Sequence, residues 1–206
     1  MNNFISLKEA RSIMGKNIID QEGLSRVSNL KFDFTCDDNV VPFSEKELME
    51  KSKDYLLIYG CSRFEDGKKV NITNLKSIFG DDPSKNTPCF YFQDWYNNES
   101  FINIQMHEGW FLIRKSVFED SRSVLPSELS KIYVFPSAIK CAYSFFVAWL
   151  VLGEKLWYHD FVWCSDVDHN GDRIYVGKYN DVDGVNRDGF SIHRHLSLRQ
   201  CYACID

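Results

Sequence analysis

The segment DVDHNGD, residues 166–172, sets oxygen-bearing side chains at every second position: Asp166, Asp168, Asn170 and Asp172, with Gly171 sixth in the series. Hard oxygen donors at alternate positions around a turning glycine are how a calcium loop of the EF-hand type begins. The twelfth position, where a bidentate glutamate belongs, is Gly177, and the intervening IYV has strand character. A loop of another kind would recruit Asp181, Asp183 or Asp188 instead. Without any ligand the same residues make a solvated hairpin turn, since Asn-Gly is the strongest short hairpin signal.

A second set of donors is His193-x-His195 followed by Cys201-x-x-Cys204. Imidazole nitrogens and thiolates suit zinc, and the four would complete one tetrahedral site. In a strand the two histidines share a face, but CYAC lacks the glycine of a zinc knuckle. The alternative is two half-buried histidines and two ordinary thiols. The expectation is therefore no cofactor, with calcium or zinc as the exceptions to test.

For catalysis, Cys164 and Ser165 lie close in sequence to His159, Asp160 and Asp166. Acid–base work would fall to Glu108 or Asp94 with Asp160. A metal-dependent hydrolase would draw on His159, Asp160, His193 and His195. The sequence has no GxSxG elbow, HExxH helix or phosphate-binding loop. The reading leans toward a protein that binds without catalysing.

Aromatic residues make up 15% of the chain, enough for either a dense core or a ring-lined face. Trp95, Tyr96, Trp110, Trp157, Tyr158 and Trp163 are the rings suited to a sugar or a protein hot spot. Trp95 and Tyr96, followed at once by Asn97 and Asn98, are the best placed for exposure. Net charge is −5 and no run of Lys or Arg exceeds a dipeptide, which argues against general nucleic-acid binding. A local basic patch from Arg173, Arg187, Arg194 and Arg199 is compatible with that balance.

These residues need elements to hold them. Ser6 with Glu9 and Ser44 with Glu47 are capping-box starts for helices at 7–14 and 45–53. DYLLIYG (54–60) reads as a buried strand, Thr73 to Gly80 as a short helix, and PCFYFQDWY (88–96) and GWFLIRK (109–115) as strands. Leu30, Phe32 and Phe34 alternate with polar neighbours in the manner of a strand. Pro136 opens a helix over 137–152 that is apolar on nearly every face and must be enclosed. Strands follow near 160–165, 173–179 and 188–198. Helices first and strands last give an α+β class, a mainly antiparallel sheet packed on a central apolar helix. Without repeat or linker, 1–206 reads as one domain.

The most apolar stretch, Cys141 to Leu152, is far short of the roughly 20 residues of a bilayer span. The N-terminal MNNFISLKEARS has no export pattern. Seven cysteines, at 36, 61, 89, 141, 164, 201 and 204, are an odd and irregular set, read as reduced and mostly buried. The expected setting is soluble and cytoplasmic, without membrane association.

Residues 161–177, FVWCSDVDHNGDRIYVG, followed by a turn and then Gly189-Phe190 with Arg194, resemble the closing part of bacterial and phage C-type-lectin-like modules, the formylglycine-generating-enzyme type among them. The matching residues are Trp163, Cys164, Ser165, Val176, Gly177, Gly189 and Phe190. The resemblance spans residues 157–199. It implies a compact α+β domain whose loops bind a ligand, commonly another protein, and it supplies no catalytic residues. EPN and WND sugar motifs are missing, so a calcium-dependent sugar site does not carry over. The expectation is a recognition module acting through loops 166–172 and 180–189. Asp166, Asp168, Asn170, Asp172, Arg173, Asn186, Arg187 and His193 would line its face.

Overall fold

A computed structural model describes residues 4–157, 160–178, 189–194 and 202–203. Along them run β1 (Ile5–Ser6), α1 (Leu7–Met14), β2 (Ile18–Ile19), α2 (Gln21–Ser25), β3 (Val40–Val41), α3 (Glu45–Lys51), β4 (Tyr55–Gly60) and α4 (Ile72–Phe79). Then follow β5 (Cys89–Phe90), β6 (Gly109–Arg114), α5 (Pro126–Leu129), α6 (Ala138–Val147), β7 (Phe161–Val167), β8 (Arg173–Lys178), β9 (Gly189–Arg194) and β10 (Tyr202–Ala203). The class is α+β.

Side-chain caps explain where the helices begin. The Ser6 hydroxyl accepts from the Glu9 N–H while the Glu9 carboxylate accepts from the Ser6 N–H, closing the capping box expected on α1. Ser44 caps α3 by accepting from the Glu47 N–H, and Asn71 caps α4 by accepting from the Asn74 N–H. On α6 the cap is Ser137, whose hydroxyl accepts from the Lys140 N–H. Pro136 therefore lies outside the helix and not at its first position. A hydroxyl that can accept an end N–H outweighs the merely compatible φ of proline.

Helix α6 is the axis of the molecule. Of its ten residues only Lys140 escapes burial, and its ammonium lies 4.9 Å from the Phe111 ring centroid. Phe146 stacks on Phe79 at 4.0 Å and meets Phe90, while Phe145 packs on Phe190. From another face Tyr143 touches Phe32 and Phe111, and its hydroxyl donates to the Tyr59 carbonyl at 2.9 Å. Each fully buried Phe is worth roughly 1.5–3 kcal/mol in transfer alone. The apolar run continues through Ala148–Leu152 with π-helical spacing and stops at Gly153, φ 69°.

The sheet architecture is richer than one antiparallel layer. Three strands run β2-β4-β6 and five run β10-β7-β8-β9-β5, with a separate β1-β3 pair. β4-β6, β7-β8 and β8-β9 are antiparallel, whereas β2-β4, β5-β9 and β10-β7 are parallel. The 88–96 strand shortens to β5. Beyond it the Tyr91 N–H donates to the Phe190 carbonyl, and the Gln93 and Trp95 side chains take over the pairing along β9 through Ile192. Around Phe32 only an isolated bridge to Phe64 forms. No helix among the described residues is long and apolar enough to cross a membrane.

Candidate functional site

The turn between β7 and β8 is built on one carboxylate. Asp168 Oδ1 accepts from the N–H groups of Asn170 and Asp172 at 2.8 and 2.9 Å. The Asp168 N–H donates to the Asp172 carbonyl, the Gly171 N–H donates to the Asp168 carbonyl, and Gly171 supplies the φ of 86° that the reversal needs. The Arg194 guanidinium approaches Asp168 Oδ2 at 3.4 Å from β9. Burial disfavours the charge on Asp168, but the Asp172 and Asn170 N–H groups, with Arg194, outweigh it and hold this carboxyl below its usual range.

Beneath the turn lies a residue that the sequence reading missed. Glu99, only 6% exposed, accepts from the His169 N–H at 3.0 Å through Oε2 and meets His169 Nδ1 at 2.6 Å through Oε1. The imidazole itself stands out, its side chain 66% exposed. Beside it the Arg194 guanidinium lies 5.1 Å from the Trp95 ring centroid, and the Trp95 indole donates to the Ile192 carbonyl. Glu99, Asp168 and His169 offer donor atoms within 4.8 Å of one another, yet the contacts above already engage all four carboxylate oxygens.

The expected face divides. Asn170 is exposed and Asp172 half-buried, as a surface turn requires. Asp166 turns to structural work: its Oδ2 accepts the Ala138 N–H at 2.6 Å at the start of α6. Burial pushes its carboxyl up despite that bond and the pull of Arg173. With Asp166 at the helix and Asp168 inside its own turn, the carboxylates of Asp166, Asp168 and Asp172 do not gather into a cluster. Arg173 donates to the Cys164 carbonyl and lies over Phe135. His193 stacks on Tyr175 at 5.1 Å and meets Phe161 edge-on. Asn186, Arg187, His159, His195, Cys201 and Cys204 lie outside the described residues, as does all of loop 180–188.

Of the catalytic candidates, Asp94 and Ser165 are exposed, and the others that are described are engaged elsewhere or buried. Asp160 pairs with Arg122 at 2.6 Å, and Glu108 accepts from the Thr35 and Ser62 hydroxyls. Cys164 is fully buried, and desolvation, reinforced by the neighbouring Cys141 thiol, drives its pKa well up, the reverse of an activated nucleophile. Cys61, Cys89 and Cys141 are likewise buried free thiols, and Cys36 is exposed. Most of the aromatic set is core: Tyr96, Trp157 and Trp163 are buried, and the Trp110 and Trp157 indoles donate to the carbonyls of Asp38 and Arg114. Phe92 is the exposed ring of the 88–96 segment, in place of Tyr96. The chain matches no protein-family model, no curated protein and no solved structure.

Proposed function

We propose that this chain is a non-catalytic recognition module that presents the β7–β8 turn to a partner protein. The observation that carries the reading is the way the turn is held. Its buried groups, Asp168 and Glu99, are committed to backbone N–H groups and to one nitrogen each of the Arg194 guanidinium and the His169 imidazole, whose side chains stay 40% and 66% exposed. A loop pre-organised from below loses little freedom on binding, which is what an interface anchor needs. Arg194 on Trp95 adds the arginine–aromatic pair common at hot spots.

The test is affinity capture followed by quantitative mass spectrometry. The wild-type chain is compared with the double variant His169→Gln, Arg194→Gln, in which the glutamine amide keeps a donor toward Glu99. A partner enriched by wild type and reduced at least about tenfold by the variant, at unchanged melting temperature, supports the reading. Equal recovery by both overturns it. A second reading, a cation held by Glu99, Asp168 and His169, would have to displace the contacts that already engage all four carboxylate oxygens. Elemental analysis, with thermal melts in calcium, zinc and EDTA, tests it: a stoichiometric metal and a shift of several degrees support it, and neither overturns it.

A further inference from the structure

A second site lies on the other elements that the Glu99-bearing segment touches, where α4 faces residues 96–102. A cavity of about 280 Å³ opens there. Ile72, Ile102 and Tyr96 give it apolar walls, and Thr73, Lys76 and Asn97 give it polar ones. Lys76 is the one charged residue of the lining. Its side chain is only 19% exposed and its ammonium lies 4.7 Å from the Tyr96 ring centroid. It donates to the Gln93 carbonyl and, at 3.4 Å, to Asn97 Oδ1, which leaves the Asn97 amide N–H₂ as a further donor. The carboxylate nearest to it, Asp81, stands 4.0 Å away, at the limit of an ion pair.

The Tyr96 hydroxyl completes the set. Tyr96 is 1% exposed, and its hydroxyl has no hydrogen-bond partner among the described residues. Leaving such a group unmade is costly, and it is the kind of exception that a bound molecule resolves. The lining therefore combines surplus donors, one positive charge and short apolar walls, in a volume just under that of drug-sized pockets. A larger cleft of about 520 Å³ also borders α4, but its charged residues, Lys31, Glu65, Asp66 and Lys68, are of both signs and all exposed.

We infer that the α4 cavity binds a small carboxylate with a short apolar tail. The ammonium of Lys76 takes its charge, the Asn97 amide orients its oxygens, Ile72 and Ile102 receive its carbons, and the Tyr96 hydroxyl, which water does not reach in the free protein, shifts to meet the carboxylate. Burial lowers the pKa of Lys76 against the pull of Asp81 and Asp94, so an incoming carboxylate meets a cation poorly served by solvent.

The probes are sodium butyrate and its neutral analogue butyramide, titrated into the full chain by calorimetry and by ligand-observed NMR. Saturable butyrate binding is expected, at least about tenfold tighter than butyramide, lost about tenfold in Lys76→Met and about fivefold in Tyr96→Phe. Tyr96→Phe removes an unpaired hydroxyl, so the free protein should melt at an equal or higher temperature, and this variant keeps the test valid if Lys76→Met fails to fold. No saturation by about 10 mM, or binding indifferent to Tyr96→Phe, overturns the inference. The double variant His169→Gln, Arg194→Gln should bind butyrate normally, which separates the two sites.

Discussion

Replacing Asp168 by alanine removes the acceptor of two backbone N–H groups, at 2.8 and 2.9 Å, and the partner of Arg194 at 3.4 Å. Hydrogen bonds to a charged group each contribute about 1.5–3 kcal/mol, but Asn170 and Arg194 can regain water in the variant, so the losses do not add in full. The expected cost is about 2–3 kcal/mol, a fall in melting temperature of about 5–10 °C for a chain of this size. Asp172→Ala is the internal control. Asp172 supports the turn through its backbone, so its loss should stay within about 0.5 kcal/mol. Urea unfolding followed by tryptophan fluorescence, with calorimetry, measures both. The pH dependence adds a second check. Because the folded pKa of Asp168 is depressed, its contribution is complete above the unfolded value near ~3.9 and is lost as pH falls through the folded value. The gap between wild type and Asp168→Ala should therefore narrow in acid below about pH 4. Equal and small effects from Asp168→Ala and Asp172→Ala would refute the claim that one carboxylate holds the turn.

Two other substitutions probe the scaffold. Gly177→Ala would drive a methyl group into the Asp160 carbonyl oxygen across the β7–β8 pair, so a cost of about 3 kcal/mol and a sharp loss of soluble protein are expected, read by chemical denaturation. Asp166→Asn keeps an oxygen acceptor for the Ala138 N–H and removes a half-buried charge whose pKa is raised. The Asp166 contribution is complete below the ordinary carboxyl value and declines as pH rises through the folded one. The variant should therefore be at least as stable as wild type at pH 7 and flatter with pH above the ordinary carboxyl value, measured by melts in buffers of constant ionic strength.

What the sequence disclosed were the features that act over a few residues. The Ser6–Glu9 box, the Ser44 cap, the enclosed helix after Ser137 and the strands 55–60, 109–114, 161–167 and 173–178 all follow from local caps and periodicity. Hidden from that reading were pairings between distant segments. β2 finds β4 and β5 finds β9 through two-residue contacts with no period to detect. Glu99 lies 70 residues from His169, so no motif spacing joins them. DVDHNGD shows the same limit in miniature. Alternation set Asp166 and Asp168 in one series, but Asp166 lies within β7 and serves the start of a helix, whereas Asp168 lies past the strand end and is taken up by its own turn. Aromatic composition likewise could not decide that Tyr96 faces inward while Phe92 faces out.

The pairing of the 89–95 segment with β9 has a consequence for how the chain is made. Gln93 reaches Ile192 across 99 residues, and Phe190 sits between Phe90 and Phe145. At about 5–20 residues per second, a ribosome needs roughly 5–20 s to deliver the second half of that contact after the first. During that interval α6 can cover Phe90 and α4, but β5 lacks its β9 partner, and an apolar strand waits in a form that other nascent chains can pair with. Yield in the cell should therefore depend on what shields this segment during synthesis, as well as on the stability of the finished protein.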